Sequence, residues 1–480
     1  MLIVDHKNII LGIIIIGILM VSIDSTIVLL AFPDMIVALH SSISVMIWVI
    51  IVYLLVSAVT ATQFGKIGDI YGRSKVFNLG FGVFTIASVL CGFAPTDITL
   101  ILFRIVQAIG GAMMQSNSGA IIADLFERHN IGKAYGFTGL GWNIGSILGI
   151  ILGGIITTFF GYRYIFFINA PIGILAVILG VKYLKDNVKH KQNLDIIGMV
   201  LFGVGIAIAA FGALEVAAVG PSLLNMGLFV IGIIILVLFF YVDSKKESPA
   251  IDLKSLKNKI FRNSVFASFM QGMGYIGAVF LVIMYLQGVR GMSALNASLL
   301  LIPGYVVGGI LAPFMGRYSD KFGARIIATI GILMMIVGLF TYYSLQIDSS
   351  VYLVIIGTIF SGVGSAMFFP ANSSAAMTNA DSNSRGSAFG LLRLMSSVGF
   401  ILSFVIIFLI MSAVIPRSLA FEIFVGTSKI TTSAAGAFVS SMHVAILGLV
   451  VILVIAGLLS LTRGKEDRSK AHQDKAALVH

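Results

Sequence analysis

The feature that most constrains this chain is its succession of long apolar runs without charge. A stretch of about 20 apolar residues spans a bilayer as a helix, and fourteen such stretches can be counted, at 9–32, 45–63, 77–94, 99–122, 135–160, 166–184, 196–216, 224–242, 263–286, 295–315, 326–346, 351–372, 387–413 and 438–462. Only 11% of the 480 residues are charged and 58% are hydrophobic. A soluble fold cannot cover its surface with so few charges. Soluble enzymes, nucleic-acid-binding domains and disordered chains are therefore excluded. The runs are unbroken rather than alternating, which argues against a β-barrel. The fold class is an all-α polytopic membrane protein. Met1 to Phe32 reads as an uncleaved first span rather than a signal peptide. The lone Cys91 excludes an intramolecular disulfide and a cysteine metal site.

The net charge of +11 follows from topology. With the N-terminus in the cytoplasm, 25 Lys and Arg fall in cytoplasmic segments and four (Arg163, Arg290, Arg417 and Lys429) in outer loops. Arg104 and Arg393 lie inside spans, which completes the 31. This positive-inside bias places both termini in the cytoplasm of a cell-membrane protein. The basic loops then face anionic lipid, and no nucleic-acid partner is needed.

The chain repeats itself. Gly65-Lys66-Ile67-Gly68-Asp69-Ile70-Tyr71-Gly72 matches Gly316-Arg317-Tyr318-Ser319-Asp320-Lys321-Phe322-Gly323 at an offset of 251. Gly132-Lys133-Ala134-Tyr135-Gly136 and Gly145 match Gly386-Ser387-Ala388-Phe389-Gly390 and Gly399 at an offset of 254. Two parallel halves follow: residues 1–184 with spans 1–6 and residues 263–462 with spans 9–14. Residues 185–262 carry the inserted spans 7 and 8, and 463–480 form a cytoplasmic tail. Parallel repeats that can rock about a central site are a transporter plan.

These residues resemble the major facilitator superfamily, specifically its fourteen-span drug:proton antiporters. Gly65 to Arg73 (GKIGDIYGR) is similar to the superfamily's loop between spans 2 and 3. Ile23-Asp24-Ser25-Thr26 through Pro33 resembles the first-span motif, Arg104 to Gly111 the fourth-span motif, and Tyr162 to Gly173 the entry to span 6. The fifth-span antiporter motif departs at one position, where Ile150 stands in place of a proline that would kink the helix. The resemblance implies a major facilitator fold of two six-helix bundles plus two inserted helices. It implies proton-coupled export of small amphipathic, cationic compounds by a monomer that uses no cofactor.

Two intramembrane charges are the candidate proton or substrate residues. Asp24 sits among Ile and Val, where burial disfavours its ionised form, and the resemblance links this acid to coupling or substrate recognition. Arg104 must face the interior or water, and the resemblance implicates it in proton transfer. Gln107, Gln115 and Asn117 have spacings that bring some of them near the same face. Gly65, Asp69, Gly72 and Arg73, with Gly316, Asp320, Gly323 and Arg325, are the candidate gate. Asp69 and Asp320 have the chemistry to accept from a helix N-terminus or an arginine across the bundles, or they belong to plain topogenic loops.

Gly145, Gly149, Gly153 and Gly154, preceded by Gly141, offer close packing or hinge bending. Arg393, Glu215 and His443 are weaker candidates. Met113, Met114, Met270, Met273, Phe368 and Phe369 are candidate lining for an apolar pocket. Residues 415–437, the longest outer loop, contain a candidate β-hairpin that is either a lid or a solvated loop. No nucleotide-binding run, nucleophile–base pair or metal-ligand cluster is visible, so enzyme function is the weakest reading. Export of one metabolite or lipid, and a non-transporting sensor or scaffold, remain as alternatives.

Overall fold

The computed structural model describes residues 6–41, 43–46, 48–126, 131–184, 195–218, 220–243, 245–246, 255–380, 385–414 and 432–464. Among these, each apolar run is helical, though not all form single long helices. In chain order they are α1 His6–Ala38, α2 Trp48–Tyr71, α3 Arg73–Phe93, α4 Asp97–Leu125, α5 Ile131–Phe160, α6 Asn169–Tyr183, α7 Ile196–Ala218 and α8 Leu223–Asp243. The second half follows with α9 Lys259–Met284, α10 Ile302–Phe322, α11 Ala324–Tyr343, α12 Tyr352–Thr378, α13 Arg385–Val414 and α14 Thr432–Thr462. Eleven described helices are long and apolar enough to cross a membrane, and a twelfth qualifies if α2, bent by 47° between Ala61 and Gln63, counts as one span. Between Asp195 and Ala218 the described apolar stretch is short, Val200–Ala213. Charge and glycine lower the hydropathy of α10, which carries Arg317, Asp320 and Lys321.

Helix breaks follow local chemistry. The run predicted as one span at 295–315 is a short helix, Ala294–Leu299, followed by α10. Pro303 sits in the first turn of α10, where its missing N–H costs nothing, whereas further inside a continuous helix it would remove a hydrogen bond. The run at 166–184 likewise begins as the single turn Tyr164–Phe167 before α6. The C-terminal end of α9 widens into a π-helical turn, Tyr285–Val289. By contrast α5, which has Ile150 where the antiporter motif has proline, is continuous over 30 residues. The hairpin expected within 415–437 lies largely outside the described residues, and from Thr432 onward that segment is already α14.

The two halves pack alike. In each, the first helix lies on the fifth (α1 on α5, α9 on α13), the third on the fourth, and the second on the fourth. The halves meet along two related seams, α2 with α13 and α5 with α10. One buried apolar core lies within the second half, while another joins the first half to α12, α13 and the inserted pair. The α7–α8 hairpin docks outside the α2–α13 seam, where Gly203 faces Val59 and Trp48 meets Phe211 at 5.7 Å. Its loop-side ends are clasped by Asp195, which accepts from Lys246 Nζ at 2.7 and 2.8 Å and from Gly198 N at 2.8 Å. The outward side chains of α8 are apolar and exposed, Leu223, Ile234 and Val237 among them, as a lipid-facing helix requires.

Candidate functional site

A cavity lies between the halves. It is lined by the first, second, fourth and fifth helix of each: Ser25, Tyr53, Arg104 and Asn143 on one side, Gln271, Tyr305, Phe369 and Arg393 on the other. Its volume is about 190 Å³. The third and sixth helices contribute no lining residue. The repeat thus places corresponding faces of two bundles around one central space.

Arg104 joins this cavity to a buried polar cluster inside the first bundle. Its Nη1 donates to Asp24 Oδ2 at 2.5 Å and to Gln107 Oε1 at 2.6 Å, and its Nε donates to the Val49 carbonyl at 3.1 Å. Gln107 Nε2 donates to Asp24 Oδ1 at 2.8 Å and to Ser88 Oγ at 2.6 Å. Asn169 Nδ2 reaches Ser88 Oγ at 3.0 Å and Asp24 Oδ1 at 3.5 Å. The guanidinium lies 4.3 Å from the centroid of the Tyr53 ring. Asp24 is fully buried, whereas Arg104 lines the cavity. The carboxylate is therefore not alone among Ile and Val: it is ion-paired and donated to by three residues on two other helices. Buried charge is tolerated only when paired and hydrogen-bonded in this way.

The other polar residues of α4 divide. Gln115 lines the cavity. Asn117 is structural, donating to the Phe64 and Met113 carbonyls, and it fills the space beside Gly68. Ser88 and Asn169, which complete the Asp24 cluster, carry no charge to mark them in sequence. Of the six Met and Phe residues considered for the pocket, only Phe369 lines it. Met114 and Phe368 belong to packed cores, and Met113 and Met114 bear on Gly80.

The matched loops sit at one end of the molecule. Gly72 (φ 114°) and Gly323 (φ 99°) each join two helices through one residue in a conformation open mainly to glycine. The flanking acids differ in their partners. Asp320 accepts from the backbone N–H groups of Gly132 and Lys133, both at 3.2 Å, and so ties α10 to the N-terminus of α5 across the halves. Asp69 accepts from Arg73 Nε at 2.7 Å within its own half, and Arg73 also contacts Asp124. Arg325 is half-buried, and its Nε has no partner among the described residues.

At the same end, a Cβ on Gly316 would fall on the Gly132 carbonyl, and one on Gly136 would meet Pro313 at 2.5 Å. The rings of Tyr135 and Phe389 stack at 6.0 Å. The two halves are therefore in direct contact on the loop side.

The fifth-helix glycines are contact points. Gly141 faces Ile15, Gly145 faces Ser22 and the Leu19 carbonyl, and Gly149 faces Thr26 and the Ile23 carbonyl, so α1 and α5 approach backbone to backbone. Gly153 is buried, and Gly154 faces Leu295. His443 bonds the Leu345 carbonyl at 2.8 Å and does not line the cavity; Glu215 is half-buried on α7. No group of three or more potential metal ligands occurs among the described residues.

Two repeat-related helical bundles around a central, largely apolar cavity with a few polar groups are the plan of a membrane transporter. The sequence profile of the Major Facilitator Superfamily matches residues 14–198, 196–404 and 304–477, and the chain belongs to that family. It is 32% identical over 399 residues to the riboflavin transporter RibZ of Clostridioides difficile (strain 630), covering 83% of this chain and 86% of that one. It is 31% identical over 403 residues to multidrug resistance protein 3 of Bacillus subtilis (strain 168), covering 82% and 78%. Among solved structures, the proton:xylose symporter XylE aligns with a TM-score of 0.63 at 15% identity, covering 94% of each chain. The relatives are transporters, and nothing points to catalysis.

Proposed function

We propose that this protein is a secondary active transporter of the cell membrane, with fourteen spans and cytoplasmic termini, that exports small amphipathic compounds in exchange for protons. The observation that carries this reading is the Arg104–Asp24 pair: one partner lines the central cavity and the other lies sealed behind it. In this reading the cavity wall binds substrate with the pair intact; a proton reaching Asp24 breaks the pair, releases Arg104 into the cavity and displaces the substrate, and substrate rebinding to the intact wall drives the proton off. Proton and substrate thus compete through one ion pair, which is what exchange requires. One proton moving down about 150 mV supplies about 3.5 kcal/mol, enough for a roughly 300-fold gradient of a neutral solute.

The 25-to-4 split of basic residues supports matched loops on the cytoplasmic side. The closed seam there then corresponds to a conformation shut toward the cytoplasm, with Asp320 on the α5 N-terminus as one of its locks. Multidrug and riboflavin transporters among the relatives support an amphipathic, aromatic substrate class. The cationic preference expected from the sequence has no support in the cavity wall. Its described lining carries no carboxylate, and Asp24 is already engaged by Arg104.

The test is accumulation in proteoliposomes under an imposed pH gradient, with ethidium, riboflavin and pyrenebutyrate as fluorescent probes of different charge. Gradient-dependent accumulation of at least one is expected. Absence of flux for all three, with the protein folded, would favour a narrow metabolite or lipid exporter or a non-transporting scaffold.

A further inference from the structure

The second half of the cavity holds a charge that the exchange mechanism does not use. Arg393 of α13 lines the cavity. Its guanidinium lies 4.8 Å from the centroid of the Phe369 ring and 5.3 Å from that of Phe389. Its Nε is buried without a hydrogen-bond partner, and among the described residues it forms no ion pair. Arg104 makes the contrast. That cation is met by a carboxylate, an amide oxygen and a backbone carbonyl. The repeat offers no counterpart either, because position 139, at the offset of 254, is glycine.

Arg393 is half-buried, and a buried Nε donor without an acceptor is costly unless something supplies one. The neighbouring lining does not supply a negative charge. Among the described lining residues the charged groups are Arg104 and Arg393; the former is paired with Asp24, and the rest are neutral. Apart from Arg393, the described lining that the second half contributes is uncharged, with Phe369, Phe400, Tyr275, Gln271, Ser396 and Ser397 among it. Cation–π contact holds the guanidinium plane in place and leaves its edge for a planar anion.

Building on the exporter reading, we infer that Arg393 is the anion-recognising subsite of the central cavity, and that it selects amphipathic aromatic compounds bearing a carboxylate or a comparable acidic group. The acidic group takes the guanidinium edge in a two-point, charge-assisted hydrogen bond. The aromatic body lies against the rings of the second half. The selected class is therefore opposite in charge to the one the sequence resemblance implies.

Equilibrium binding without any gradient separates this inference from proton coupling. The full-length protein in nanodiscs is titrated with pyrenebutyrate, with the uncharged pyrenebutanol, and with pyrenemethylammonium, and empty nanodiscs correct for partition into lipid. The wild type should bind pyrenebutyrate about tenfold tighter than pyrenebutanol, equivalent to about 1.4 kcal/mol, and pyrenemethylammonium weakest of the three. In Arg393→Met the acid-to-alcohol ratio should fall to about one, and Arg393→Lys should give an intermediate ratio.

Equal affinity for acid and alcohol in the wild type would overturn the subsite, and this comparison needs no variant to fold. A ratio unchanged in a folded Arg393→Met protein would also overturn it, since a purely structural arginine would not set that ratio. Preference for the cation would restore the opposite selectivity. Loss of gradient-driven flux with the binding ratio intact would instead count against the exchange reading alone.

Discussion

At the scale of single residues, the economy of the site lies in pairing. Neither Asp24 nor Arg104 is tolerable alone inside a membrane, and together they hold each other at 2.5 Å. Removing one partner of a buried pair leaves the other uncompensated and costs about 3–5 kcal/mol, whereas removing both can be close to neutral. Arg104→Gln should therefore lower the thermal midpoint more than the double variant Asp24→Asn/Arg104→Gln does. A double-mutant cycle on detergent-solubilised protein should give a coupling energy of at least about 1 kcal/mol; strict additivity would mean that the pair does not exist in solution.

Asp195, outside the spans, obeys the same rule in a wetter setting. Burial opposes its ionisation, but hydrogen bonds from Lys246 and from the Gly198 N–H outweigh this and hold its carboxyl below the usual range. A depressed folded-state value gives stability that is full above the unfolded value of about 3.9 and is lost as pH falls through the folded one. Lys246→Met should thus lower stability modestly at pH 7, by less than about 1 kcal/mol for this partly exposed pair, and with it the melting temperature. Melting curves recorded below about pH 4 should show the difference between variant and wild type shrinking.

At the scale of elements, small residues decide which helices touch. α5 lies against α1 through Gly141, Gly145 and Gly149 and against α10 through Gly136, while Gly316 lets α10 ride on the Gly132 carbonyl. The α5–α10 seam closes the loop side of the cavity. Gly316→Val has no room without parting the two helices. Thr138 lines the cavity on α5, and Cys91, the chain's single cysteine, is buried. Thr138→Cys therefore reports on access to the cavity. Adding Gly316→Val should raise its labelling by a membrane-impermeant maleimide from the loop side several-fold. An unchanged rate would show that this seam does not control access.

What the sequence reveals at this scale follows from what charges and prolines mark. The apolar runs locate the helices because Lys, Arg and Gly interrupt them. The broken start of α10 was less legible, since Leu299 to Ile302 continue an apolar run and only Pro303 signals a new beginning. Asp24 and Arg104 stand out as charges in apolar surroundings, but their pairing across 80 residues depends on which faces of α1 and α4 meet, and a strongly apolar helix gives little sign of its buried face. Ser88 and Asn169 are ordinary interhelical polar residues by composition, and only their convergence on Asp24 sets them apart. Arg393 was visible as a charge, but its ring neighbours Phe369 and Phe389 and the described lining without a carboxylate that it shares follow only from how the helices are brought together.

At the scale of the whole molecule, the duplicated plan accounts for both the cavity and its closure. Corresponding helices from the two halves line the space, and the halves meet along corresponding seams, α2–α13 and α5–α10. The halves are not equivalent in chemistry. The first carries the paired acid and base, with Arg104 as their face to the cavity; the second carries Arg393, which forms no ion pair among the described residues. On the proposed reading, this division would keep the proton and the substrate apart while leaving both within reach of one space. The inserted α7–α8 pair lies outside the seam, and none of its described residues lines the cavity.

The most direct test of this account is proton-driven accumulation in proteoliposomes, comparing wild type with Asp24→Asn for whichever of ethidium, riboflavin and pyrenebutyrate the wild type concentrates best. The account predicts that Asp24→Asn still exchanges the probe across the membrane at equal concentrations but no longer concentrates it when a pH gradient is imposed. Concentration by Asp24→Asn to the wild-type level would contradict it, because the proton would then be carried elsewhere.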